Sequence, residues 1–217
     1  MPEREPPDYE GYDVLAKWDT PSFDAVTRGV LDERLHAVPA PRFFDAREFA
    51  TLEHACARLL ATDVGAPPLA NWIDADVFAG RGEGFRLPDA PSLQDSWRQG
   101  LRGLDAEARR RHGTGFAELA GAQQDDTLHA LQRDEVDPAH FTQVPAAHFF
   151  THLLLKAAAC HFYAQPQAWN EIGFGGPASP RGYVRMDFDR RDPWEAAEAG
   201  RGAGDLARVE NQGVGRR

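Results

Sequence analysis

The chain has 217 residues, 42% of them hydrophobic and 27% charged, with a net charge of −10. This composition fits a globular chain of one domain, or one domain with long arms, and excludes a disordered one. Mean hydropathy is −0.53 and no apolar run approaches the roughly 18 to 20 residues that cross a bilayer; an acidic surface also repels phosphate, so neither direct membrane insertion nor nucleic-acid binding is expected.

Residues 1–20 are polar and proline-rich and then aromatic at Tyr9, Tyr12 and Trp18, which reads as an extended arm that docks through its rings. Nothing in the first residues directs export, so the chain as written is expected in the cytoplasm. A helix is expected from Thr20-Pro21-Ser22 through Val26 and Leu31 to about Leu35, ended before Pro39 and Pro41. A second opens at Asp45, with Glu48 completing a capping box, and aligns Phe49, Leu52, Cys56, Leu59 and Leu60. The Pro67-Pro68 pair opens a third with the stripe Leu69, Trp72, Ile73 and Val77. Gly80, Gly82 and Gly84 then form a turn rather than a phosphate loop, since neither a strand nor a P-loop lysine accompanies them.

Ser92 to Arg111 reads as a long helix carrying Leu93, Trp97, Leu101, Leu104 and Ala108 in phase. Its terminal Arg109-Arg110-Arg111-His112 places cations at the negative end of the helix dipole, a favourable last turn rather than an anion site. A weaker helix spans Gly121 to Arg133, and a last long one runs from Pro145 to Tyr163 with Phe149, Leu153, Ala157 and Cys160 on one side. No period-two segment suggests a strand. The expected fold is therefore all-α: an irregular bundle of about six helices, with an arm over 1–20, a helical domain over 21–186, and a partly disordered C-terminal arm over 187–217.

Chemistry-bearing groups are sparse. No Gly-x-Ser-x-Gly elbow is present, and Cys160 and His161, as helix neighbours, point about 100° apart. Cys56 and Cys160 are too few for a disulfide framework; they could form one bridge or be two buried thiols, and their apolar helix neighbours favour the thiols. His148 and His152 stand four apart and could share a metal ion, with His54 or Glu171 as further ligands; position 149 is Phe149, so the metalloprotease pattern is absent. Asp74/Asp76 and Asp125/Asp126 read as solvated faces. Gly173-Phe174-Gly175-Gly176-Pro177 lacks the strand and spacing of a dinucleotide loop.

The stretch from Ala164 to Tyr183 is too rich in glycine and proline for a helix and too aromatic for an idle linker. It is either an ordered wrap over its own core or a docking surface. Tyr163-Ala164-Gln165-Pro166-Gln167-Ala168-Trp169-Asn170-Glu171-Ile172-Gly173-Phe174-Gly175-Gly176-Pro177, continuing through Arg181 and Tyr183, resembles the C-terminal signature of the gluconate 2-dehydrogenase subunit 3 family. The segments Tyr12-Asp13-Val14-Leu15, Trp18-Asp19-Thr20-Pro21-Ser22, Arg42-Phe43-Phe44 and Leu104-Asp105-Ala106-Glu107-Ala108 resemble it too, so the likeness spans about residues 9–195.

The resemblance implies a small, non-catalytic subunit that binds a large flavoprotein of the glucose-methanol-choline (GMC) type and assists its folding, cofactor loading or export. FAD would reside on that partner, and a cytochrome c subunit would often take the electrons. Exported members carry a twin-arginine signal, which this sequence lacks; a periplasmic location would need a signal upstream or on the partner. The contacts implied for the partner are Trp18, Trp169, Asn170, Glu171, Phe174, Arg181 and Tyr183, with no catalytic or cofactor-binding residue in this chain.

Overall fold

The computed structural model describes residues 9–82, 90–177, 192, 194–199 and 204–214. It is all-α, with no strand among the described residues. These residues divide into two units, Val38–Phe162 and the pair of segments Pro2–Ala37 and Tyr163–Arg217.

The first unit is a helical bundle. Helix α2 (Ala46–Leu60) starts where the sequence places it: the Asp45 carboxylate accepts from the Arg47 and Glu48 amides, and Glu48 accepts in return from the Asp45 amide. Ala61 ends it in the left-handed conformation at φ 51°. Helix α3 (Leu69–Phe78) buries Leu69, Ile73 and Val77, as the stripe requires. Helix α4 (Leu93–His112) is capped by Ser92 and closed by Gly113 at φ 83°. Helix α5 is Gly121–Gln132. Leu52, Leu101, Leu104, Phe116, Leu131, Phe149 and Leu154 are fully buried and form the core, each side chain contributing about 1.5–3 kcal/mol.

The last long helix departs from regular spacing. Short α6 (Ala146–His148) passes into a π-helical stretch, Phe149–Leu155, and then into α7 (Lys156–Tyr163). The wider π turns move the apolar face forward by one residue. Phe150, Leu154, Ala158 and Phe162 are buried, whereas Leu153 and Ala157 are half-buried and Cys160 is exposed. The expected stripe over Leu153, Ala157 and Cys160 is corrected accordingly. Phe149 lies in a notch at Gly100 of α4, where a Cβ would overlap the ring.

Asp74 is not solvated as expected. It is fully buried in α3 and accepts from the amides of Arg42, Phe43 and Phe44 at 2.7–3.2 Å. It thereby fixes the strap that leads into α2 and satisfies three donors with one carboxylate. Asp125 is likewise committed, accepting from Arg58 at 2.6 and 2.9 Å. Those hydrogen bonds outweigh partial burial and hold its carboxyl below the usual range.

In the second unit, a 3-10 turn over Val14–Lys17 precedes α1 (Ala25–His36). The cap of α1 is Asp24, not the Thr20–Ser22 stretch: its carboxylate accepts from the Thr27 amide at 2.7 Å, while the Thr20 hydroxyl turns back to the Lys17 carbonyl. Two short helices appear where none was expected. Helix α8 (Pro166–Glu171) uses proline in its first turn, where no amide donor is needed, and α9 (Gly204–Gln212) lies in the anticipated C-terminal arm.

Candidate functional site

The aromatic arm and the 164–177 segment belong to the same unit and hold each other. Val14, Tyr12, Phe23, Leu31, Trp169 and Val214 form its buried cluster, with Tyr9, Leu15, Trp18 and Phe174 packed against it. The Val14 amide donates to Asn170 Oδ1 at 2.8 Å, joining the arm to α8. Trp169 is 4% exposed; its indole N–H donates to the Tyr163 carbonyl at 2.6 Å, and the Phe174 ring meets it edge-on at 5.4 Å. The Phe174 amide donates to the Trp169 carbonyl at 2.9 Å, folding the loop back over its own helix.

Lys17 locks the far side of this loop. Its side chain is fully buried, and Nζ donates to the Gly175 carbonyl at 2.6 Å and the Trp194 carbonyl at 3.4 Å. The rings of Tyr12 and Phe23 lie 5.8 and 5.7 Å from Nζ and supply a cation–π contact. Gly176, at φ 76°, lets the loop pass against Phe23 and Trp169. Arg28 ties Trp18 and Phe23 by donating to both carbonyls at 3.2 and 2.7 Å.

Of the residues expected to meet a partner, then, Trp169 is buried within its own unit and Asn170 is spent on the arm. Trp18, Glu171 and Phe174 are half-buried and keep part of their surface open. Arg181 and Tyr183 lie outside the described residues. Sequence reasoning missed the exposed Tyr163 and Ile172 at the two ends of this element, 47% and 48% accessible, which extend the surface the wrap presents.

The histidine pair is real but incomplete. The His148 and His152 rings lie 4.7 Å apart, and burial, with His152 close by, pushes the His148 imidazole below its usual range. His54 is not with them; its Nδ1 faces Gln124 Nε2 at 3.1 Å. Among the described residues no three metal-ligating groups converge. Both cysteines are free thiols. Burial, followed by the Glu53 charge, pushes Cys56 up to about 12, while Cys160 is exposed. His161 pairs with Asp76 at 3.1 Å.

A second polar feature belongs to the first unit. Three buried carboxylates lie under pairs of arginines that are exposed or, at Arg98 and Arg111, half-buried: Glu48 beneath Arg98 and Arg102, Asp105 beneath Arg47 and Arg109, Glu107 beneath Arg110 and Arg111. Burial pushes Glu107 up, but hydrogen bonds from Arg110, Arg111, the Asp137 amide and His140 outweigh it and hold the carboxyl at about 2. Beside this cluster, α4 and the turn at 139–142 enclose an open groove of about 460 Å³.

The family model described as gluconate 2-dehydrogenase subunit 3 matches residues 46–176. The match begins at α2, takes in the bundle, and ends within the wrap just after Phe174. No curated protein and no solved structure matches the chain.

Proposed function

The chain belongs to the gluconate 2-dehydrogenase subunit 3 family, and from that premise we propose that it is the non-catalytic small subunit of a dehydrogenase complex, binding a GMC-type flavoprotein and assisting its folding or maturation. The family match carries this reading. FAD belongs to the partner in this scheme, and a cytochrome c subunit is the acceptor that would complete the complex. The small chain contributes surface.

The locked wrap supports the reading physically. A loop pinned by Lys17, Asn170 and Trp169 is ordered before any partner arrives, so docking would not have to meet the entropy of fixing it. Trp169 and Asn170 act as positioning residues. Trp18, Glu171, Ile172, Phe174 and Tyr163 offer the contact surface, with Arg181 and Tyr183 proposed to continue it.

The test is co-expression with a GMC-type flavoprotein subunit from the same organism. The expected outcome is that flavin content and sugar or alcohol oxidation by the large subunit fall at least tenfold when the small chain is omitted, while the small chain alone oxidises nothing. Equal flavin loading and turnover without it would refute the assisting role. Turnover by the small chain alone would refute the non-catalytic one.

A further inference from the structure

Five of the eight histidines are committed to a neighbour: His36 to Asp32, His54 to Gln124, His112 to Asp126, His140 to Glu107 and His161 to Asp76. His129 is exposed on α5. The other two, His148 and His152, have no hydrogen-bond or ion-pair partner among the described residues. They face each other instead, ring centroids 4.7 Å apart and planes tilted by 34°.

The π-helical stretch explains that placement. Over Phe149–Leu155 the wider turn keeps residues four apart within one turn of each other, on one side of the helix. The core holds this backbone firmly: Phe149, Phe150 and Leu154 are buried, and Phe149 fills the notch at Gly100. His148 is half-buried and His152 exposed, so the pair reaches solvent from a fixed frame. Neither ring has to give up a partner in order to bind something else. π-helical insertions also recur at functional sites.

Imidazole nitrogen suits zinc, nickel and copper, whereas calcium and magnesium require oxygen donors. Two imidazoles on one frame chelate. Once the first nitrogen binds, the second is already at high local concentration, and the affinity rises well above that of a lone histidine. No third His, Cys, Asp or Glu among the described residues converges on the pair, which leaves the remaining positions of the ion open.

We propose that His148 and His152 form a bidentate, solvent-facing site for a divalent zinc, nickel or copper ion, completed by water or by a donor from another molecule. The site belongs to the helical bundle, not to the wrap, and does not depend on the accessory-subunit reading.

The test is calorimetric titration of the tag-free, chelator-stripped, full-length chain with nickel, zinc and calcium chlorides near neutral pH. The chain carries Cys160→Ser, so that the exposed thiol cannot supply the ligand. One equivalent of nickel or zinc is expected to bind with a Kd below about 100 μM, and calcium not at all. His152→Ala and His148→Gln should each weaken binding at least tenfold, because each leaves a single imidazole. His152 is exposed, so its variant should keep the metal-free Tm of the parent. His129→Ala should bind as the parent does, and so should Asp32→Ala, which dismantles the exposed His36–Asp32 pair. A Kd above about 100 μM for both transition ions would overturn the proposal. Binding that survives both histidine variants, or that is lost only in Asp32→Ala, would place the ion elsewhere and overturn it too. Equal binding of calcium would point to a carboxylate site, with the same consequence. None of these results touches the subunit reading, which stands or falls on flavin loading of the partner.

Discussion

Glu107 shows what a single residue does here. Its carboxylate is fully buried yet held at about 2, against an ordinary 4.5, by Arg110, Arg111, His140 and the Asp137 amide. A group whose folded value is depressed stabilises fully above its unfolded value and loses that contribution as pH falls toward the folded one. Stability should therefore decline between about pH 4.5 and 2, by on the order of 3 kcal/mol from this group. Glu107→Gln is expected to be less stable at neutral pH and flatter over that acid window, as followed by urea unfolding at each pH. The two thiols give a second residue-scale expectation. Cys160 should react with a thiol reagent in the native protein within minutes, and Cys56 only after denaturation, because burial keeps its thiol protonated. Labelling of both at one rate in the native state would contradict the placement of α7.

Among the elements, caps were the most legible part of the sequence. Asp45 with Glu48, and Ser92, each mark a boundary the structure keeps, because a cap is a local bargain between one side chain and the nearest free amides. The π-helical stretch was not legible. Apolar spacing was read at 3.6 residues per turn, and nothing in Phe149–Leu155 announces the wider turn that packing against α4 imposes. Asp74 was missed for a similar reason: Asp74 and Asp76 look alike in sequence, and only the fold brings the Arg42–Phe44 amides to one of them. Helices α8 and α9 escaped notice because both are short and lie in glycine-rich surroundings. The Gly100 notch gives a direct test. Gly100→Ala places a methyl in the Phe149 ring and is expected to cost about 2 kcal/mol of unfolding free energy despite alanine's better helix propensity. Asp74→Ala should cost at least as much, since it leaves the amides of half-buried Phe43 and buried Phe44, with that of Arg42, without their acceptor.

For the molecule as a whole, the all-α class and the family were readable from sequence, the second through the long motif around Trp169. What sequence left open was whether that motif wraps or docks. The described residues show it wrapping its own unit, with Trp169 and Asn170 turned inward and the edges of Trp18, Glu171 and Phe174 outward. Two aromatic segments far apart in sequence are one element because Asn170 satisfies the Val14 amide, Lys17 satisfies the Gly175 carbonyl, and their rings share one buried cluster. The same logic predicts that Trp169→Ala acts on the small subunit first, lowering its stability by about 3 kcal/mol and reducing partner recovery as a consequence. A variant that alters only the outer edge, such as Ile172→Asp, should leave unfolding unchanged and still reduce recovery.

The most direct measurement is the mass and flavin absorbance of what elutes with the tagged chain after co-expression with a GMC-type flavoprotein subunit from the same organism. A fixed-ratio species carrying flavin, larger than either polypeptide, is the predicted result. A flavin-free peak at the chain's own 24.0 kDa, with the flavoprotein eluting separately and fully active, would contradict the account.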